Sequence, residues 1–176
     1  MTAAPVRVRR MTEDDCAAVA EVRVRGWQTA YQGLLPRWYL RAMSVEADTE
    51  VRRRHLAEAG ARVVDLVAER AGSVVGWACH GPYRADEGAA GDGELYAVYV
   101  RPDQVGTGAG RALLAESVAR ATAAGYPALR LWVLTGNTRA RCFYEAAGFA
   151  PDGAEEPWQV AGTTLMELRY ARSLRP

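Results

Sequence analysis

The sequence predicts a mixed α/β sandwich built as one domain, and three observations carry that reading. The chain has 176 residues, the size of a single domain at roughly 100–200 residues each. Runs of period two alternate with runs of helical spacing, in the order strand, helices, three strands, helix, strand, helix, two strands. Turns rich in glycine and proline separate the runs, with no internal repeat, low-complexity tract or linker, so one domain spans residues 1–176.

Residues 6–10 alternate Val-Arg-Val-Arg-Arg, as a short edge strand does. Thr12, with Asp15 three residues on, forms a capping-box pattern and opens a helix that runs to about Tyr31. Gly33 and Pro36 end it, and Pro36 starts a second helix through Arg37-Trp38-Tyr39-Leu40. A charged helix follows over residues 46–59, with Arg52-Arg53-Arg54 as a solvated face. Residues 63–70 and 73–82, joined at Ala71-Gly72, read as a hairpin. Residues 83–93 read as a loop, and Asp86, Glu87 and Asp92 make it acidic. Residues 94–100 form a strand, 101–107 a turn and 108–124 a helix, with Leu113, Leu114, Ser117, Val118 and Ala121 at helical spacing. The largely apolar strand 128–134 is expected to be buried on both faces. A helix over 137–147 carries Ala140, Phe143, Tyr144 and Ala147 on one side, with Gly148 as its C-terminal cap. Strands near 149–155 and 163–171 complete the chain.

Composition narrows the function. Hydrophobic residues make up 49% and charged residues 24%, which argues against disorder. The formal net charge of +1 lacks the basic excess expected of a protein whose main partner is nucleic acid or anionic lipid. No apolar run of about 18 residues exists to span a membrane. The first fifteen residues mix acid and arginine without an apolar core, so a cytoplasmic protein is expected. Cys16, Cys79 and Cys142 lie far apart with no CxxC, and His55 and His80 are isolated, so neither a disulfide framework nor a metal site is expected. The chain has no lysine and no isoleucine, as a GC-rich genome favours, and its single asparagine and two phenylalanines all fall between Asn137 and Phe149.

Two blocks carry chemistry. In the first, Val98-Tyr99-Val100-Arg101-Pro102-Asp103-Gln104-Val105-Gly106-Thr107-Gly108-Ala109-Gly110-Arg111, a strand runs into alternating glycines and a helix begins. Several N–H groups and a helix N-terminus then face one point, which suits a pyrophosphate. A dinucleotide fingerprint starting at Gly106 would need glycine where Arg111 stands. A Walker loop would need lysine. The second block runs from Asn137 through Ala140, Phe143, Tyr144 and Gly148 to Phe149.

Together the blocks resemble the acetyl-CoA-binding core of the GNAT N-acyltransferase superfamily, with its R/Q-x-x-G-x-G/A turn and N-x-x-A-x-x-F-Y-x-x-x-G-F block. The second block matches at every letter. In the first, Val105 stands at the Gln/Arg position, with Gln104 one place earlier. The Glu13 to Tyr39 region, with its stretch Trp27 to Pro36, is similar to a common bacterial small-molecule branch, so the resemblance covers nearly the whole chain. It implies an α/β (α+β) GNAT acyl-CoA N-acyltransferase fold, a central mixed, mostly antiparallel sheet flanked by helices. It also implies acetyl-CoA as co-substrate, no metal, and direct attack by a primary amine of a small molecule. A homodimer is common among relatives. A peptide or protein N-acetyltransferase and a non-catalytic acyl-CoA-binding domain remain as alternatives.

The resemblance assigns roles to residues. Val98, Tyr99 and Val100 would bind the pantetheine arm as an added strand does. Gly106, Thr107, Gly108, Ala109, Gly110 and Arg111 would hold the pyrophosphate. Asn137 would bond the pantetheine amide while also capping a helix. Spacing alone places Tyr144 in the core beside Phe143; the resemblance makes it the general acid for the leaving thiolate. Glu94 is the candidate base, with Tyr96 or a water chain behind it. Trp132 stands where ribosomal-protein-acetylating relatives keep a Glu, which disfavours that substrate. Trp27, Tyr31 and Tyr99, with Trp38 and Tyr39, are candidates for the acceptor pocket, although aromatics at helical spacing also read as core.

Overall fold

The structure is a computed structural model and describes residues 4–84 and 91–175. Among these residues seven strands, β1 (Arg7–Arg10), β2 (Val64–Arg70), β3 (Ser73–Pro82), β4 (Gly93–Val100), β5 (Ala128–Leu134), β6 (Ala150–Val160) and β7 (Thr163–Ser173), form one sheet in the order β1-β2-β3-β4-β5-β7-β6. Five α-helices accompany them: α1 (Cys16–Ala30), α2 (Arg37–Ala42), α3 (Val45–Glu58), α4 (Ala109–Ala123) and α5 (Thr138–Glu145). All neighbouring strands are antiparallel except β4 and β5. Among the described residues no helix is long and apolar enough to cross a membrane.

The β4–β5 pair positions the site. These strands are in register only at Gly93↔Leu129 and Glu94↔Arg130, and they part beyond that point. A bulge lies where they separate: Cys79 of β3 faces Ala97 and His80 faces Leu95, leaving Tyr96 as the extra residue of β4. Such a bulge bends and twists its strand, and β4 keeps an unpaired edge toward β5 from Leu95 to Val100.

The two sheet faces carry different cores. On one, Cys16, Val19 and Val22 of α1 pack on Val67, Trp77 and Cys79. On the other, α4 buries Ala109 and Leu113 against Leu66, Ala68, Val75 and Ala78. Its Leu114 and Ala121 meet Leu129, Leu131, Val133, Phe149 and Tyr170. Full burial of a Leu or Val stabilises by about 1.5–3 kcal/mol, so these positions hold the sheet between its helices.

Most elements lie where patterning places them, and the exceptions have causes. At the start of α1 the Thr12 N–H donates to the Asp15 carboxylate at 2.8 Å, as the capping pattern predicts, but the first turn is a tight 3₁₀ turn over Glu13–Asp15. β5 is not buried on both faces: Leu129, Leu131 and Val133 are buried, whereas Arg130 and Trp132 are half-buried. Arg130 is there to pair with Asp92 at 2.7 Å. β6 extends well past residue 155, through Pro157, because it is an edge strand where a missing ladder donor costs nothing.

Candidate active site

A cavity of about 510 Å³ fills the gap between β4 and β5, within the size range of ligand pockets. Leu95 to Val100 of β4 form one wall and Trp132, Val133 and Leu134 of β5 the other. Gly106, Gly108, Gly110 and Arg111 lie at one end, and Asn137, Phe143 and Tyr144 close a side. Tyr31 and Glu167 also line it.

The glycine end is built for an anion. Gly106 and Gly108 have φ of +81° and +95°, the left-handed region that glycine enters freely. The chain thereby turns into α4, whose first intrahelical bond runs from the Ala112 N–H to the Gly108 carbonyl at 3.0 Å. The N–H groups of Ala109, Gly110 and Arg111 precede that bond in the first turn, where intrahelical partners are lacking, and so can face a ligand. Arg70, from β2, holds the loop from behind. It donates to Gln104 Oε1 (2.7 Å), Thr107 Oγ1 (2.8 Å) and the Thr107 carbonyl (2.9 Å). Gln104 thus ties the loop to Arg70 through its side-chain carbonyl oxygen while also lining the cavity.

Asn137 caps α5 by accepting the Ala140 N–H at 3.2 Å and also lines the cavity. Its Nδ2 donors have no partner among the described residues. Two turns of α5 further, Tyr144 packs edge-on to Phe143 and Phe149, with ring centroids 5.2 and 6.1 Å away. Its hydroxyl has no hydrogen-bond partner among the described residues. Burial pushes the Tyr144 phenol well above its ordinary range, so it keeps its proton at neutral pH.

Tyr31 and Tyr99 meet hydroxyl to hydroxyl at 3.0 Å. Burial raises both phenols, and for Tyr31 the neighbouring Tyr99 adds to it. Tyr99 stacks on Trp77 at 6.3 Å, with planes 14° apart. Glu167 of β7 is half-buried, and among the described residues its carboxylate has no hydrogen-bond or ion-pair partner. Burial, then the charge of Glu156, pushes its carboxyl up to about 7.

The structure brings together Tyr31, Val98, Tyr99, Val100, Gly106, Gly108, Gly110, Arg111, Asn137 and Tyr144 around the cavity. It places the other expected residues elsewhere. Thr107 turns its hydroxyl to Arg70, and Ala109 is 1% exposed, packed beneath the loop. Trp27 stands behind Tyr31, edge-on at 4.9 Å. Trp38 is 64% exposed and packs edge-on to Tyr39 at 5.9 Å; neither lines the cavity. Asp86 and Glu87 lie outside the described residues.

Glu94 also lies off the cavity. It is 3% exposed, and the Arg84 guanidinium grips its carboxylate at 2.6 Å while the Arg84 N–H donates to it at 3.0 Å. The cause is its position at the closed end of the β4–β5 gap, where the strands still pair.

Sequence reasoning missed Arg70, Glu167 and Trp158. Trp158 packs edge-on to Trp27 at 5.8 Å and tilted to Tyr31 at 6.4 Å. Glu167 had a faint signal: it is an acid in an otherwise apolar stretch, Leu165-Met166-Glu167-Leu168. The other two lie in no motif and reach the site only through strand pairing.

Comparison with known proteins agrees with this architecture. Residues 21–149 match the acetyltransferase (GNAT) family. An uncharacterised N-acetyltransferase of Bacillus subtilis, YuaI, is 33% identical over 165 residues, 93% of this chain and 90% of that protein. An L-methionine sulfoximine/L-methionine sulfone acetyltransferase of Pseudomonas aeruginosa is 35% identical over 108 residues, 58% of this chain and 62% of that protein. Among solved structures, the PaiA N-acetyltransferase of Thermoplasma acidophilum, in complex with coenzyme A, superposes with a TM-score of 0.72. It is 19% identical, with 96% of this chain and 99% of that one covered, and shares the fold.

Proposed function

This chain belongs to the GNAT acetyltransferase family, and on that footing we propose that it moves an acetyl group from acetyl-CoA to the primary amine of a small molecule. The observation that carries the reading is one cavity that joins three features: the free first turn of α4, the unpaired edge of β4, and the Asn137–Tyr144 face of α5.

Acetyl-CoA fits that set of groups. The N–H groups at Gly108 to Arg111 suit the pyrophosphate, with Arg111 adding charge. The β4 edge suits the amide groups of the pantetheine arm, and the free Nδ2 of Asn137 suits one of their carbonyls. The thioester then lies near Tyr144. An amine attacks the carbonyl carbon directly, N–H donors near Val98 steady the oxyanion, and the Tyr144 O–H donates to the departing thiolate.

A small acceptor is favoured by the Pseudomonas aeruginosa relative, named for two small amino-acid derivatives. It is also in keeping with Trp132, a bulky aromatic in the cavity wall. The test is thiol release from acetyl-CoA with a panel of 2-phenylethylamine, spermidine, L-methionine sulfone and short peptides. Turnover with at least one small amine is expected. Turnover confined to peptides supports peptide acetylation instead, and binding of acetyl-CoA with no turnover supports a non-catalytic domain.

A further inference from the structure

We infer that Glu167 is the group that takes the proton from the incoming ammonium, an assignment that rests on the amine-acetylation reading above. Among the described residues that line the cavity it is the only acid. It shares the lining with Tyr144, which faces the leaving thiolate, so a base and an acid face one space.

The sheet explains how a residue so late in the chain reaches the site. β7 inserts between β5 and β6, and Glu167 is in register with Leu134, the last residue of β5. Leu134 itself lines the cavity, three residues before Asn137. Glu167 therefore stands where β5 ends and the wall formed by α5 begins.

Its surroundings keep the carboxylate reactive. Arg84 and the Arg84 N–H hold Glu94, and Arg130 holds Asp92. Among the described residues Glu167 has no such clamp. Groups from every adjoining element act on it: Glu156 of β6 lies directly across from it, Glu94 of β4 adds negative charge, and Arg84 opposes both. Tyr31, just past the end of α1, and Tyr99 of β4 feel its charge in turn. With burial these bring the carboxyl up to about 7, where a base accepts a proton readily and about half of it is still ionised at neutral pH.

The step balances. The Glu167 carboxylate removes one proton from R–NH₃⁺ and becomes a neutral acid. The freed nitrogen pair attacks the thioester carbon, forming C–N and placing negative charge on oxygen. On collapse the C–S bond breaks and the thiolate takes the Tyr144 proton. The nitrogen gives up its second proton, which restores Tyr144, and Glu167 returns its proton to water.

The experiment is the pH dependence of kcat/KM with acetyl-CoA and the best amine of the panel above, for wild type, Glu167→Gln and Glu156→Gln. Wild type should rise through a limb near pH 7. Glu167→Gln should lose that limb and fall by about 10²–10⁴ at neutral pH, with acetyl-CoA affinity by calorimetry within about twofold. The deficit should shrink at high pH, where the amine deprotonates unaided. Glu156→Gln should keep the limb and move it to lower pH, and that shift tests the assignment even if Glu167→Gln folds poorly. An active wild type with an unchanged profile in Glu167→Gln, or an unmoved limb in Glu156→Gln, overturns the assignment alone. A wild type inactive on every amine defeats the transfer reading, and the assignment with it.

Discussion

The Arg84 guanidinium closes on the Glu94 carboxylate at 2.6 Å, with Glu94 3% exposed and the Arg84 side chain 63% exposed. The same guanidinium lies over the Tyr96 ring, 4.3 Å from its centroid. The pair therefore fastens the segment before β4 onto the bulge that opens the cavity. Arg84→Ala leaves a buried carboxylate with the Arg84 N–H as its remaining partner from this cluster. A loss of about 1–2 kcal/mol is expected, the lower end reflecting screening at the exposed arginine. Glu94→Gln should cost a similar amount, and the double variant less than the sum, by urea unfolding. Additive losses would show that the two residues act independently.

The glycine loop should depend on a residue that never meets the ligand. Arg70 spans Gln104 and Thr107 from outside the cavity. Arg70→Ala should weaken acetyl-CoA binding several-fold by releasing that loop, with Arg70 acting as a positioning residue. Arg111→Ala removes a charge from the cavity itself and should cost about tenfold in affinity. If Arg111 faces the pyrophosphate as proposed, only its loss should shrink as salt rises, because a direct ionic contact is screened and a positioning contact is not. Calorimetry at two ionic strengths separates the two roles. Both variants are cleaner probes than a side chain at Gly108, whose φ of +95° would itself add strain.

Much of this architecture was legible in the residues, and what was hidden shares a physical cause. Strand 128–134 and the hairpin strand 73–82 are legible because local patterning decides them. So is the Asn137 cap, since a side chain that bonds the backbone three residues on leaves its mark in the sequence. The β4 bulge left no such mark, because it arises from how β3 and β4 pair. Glu94 stands at the start of strand 94–100 as a candidate base, and only the folded position of Arg84 shows its carboxylate taken. Glu167 came to the cavity because β7 inserts beside β5, a pairing between segments about thirty residues apart that no local rule reveals.

Glu167 should also register in stability. Its folded carboxyl is raised from 4.5 to about 7, so the folded state holds that proton more tightly than the unfolded chain. The stabilisation is complete below about pH 4.5 and is lost as pH climbs through 7. Glutamine carries no charge to desolvate, so Glu167→Gln should gain in Tm relative to wild type between pH 5 and pH 8. Thermal unfolding across that window measures it. A constant difference would mean that the carboxyl titrates as an ordinary exposed acid.

The Tyr144 hydroxyl separates chemistry from packing more cleanly than any other group in the cavity. Its ring is fixed by Phe143 and Phe149, and its hydroxyl gives up no protein hydrogen bond among the described residues when removed. Tyr144→Phe should therefore leave Tm nearly unchanged and acetyl-CoA affinity little altered. The bond at issue strengthens only as charge grows on sulfur, so the loss should fall on kcat, by about 10²–10⁴. A donor with a more acidic leaving thiol should narrow the gap between variant and wild type, since that thiolate needs less help. Because burial raises the Tyr144 phenol, wild-type kcat should show no falling limb from its ionisation between pH 8 and pH 10. Unchanged turnover in Tyr144→Phe, measured where chemistry limits the rate, would make Tyr144 a packing residue and leave the leaving thiolate to water.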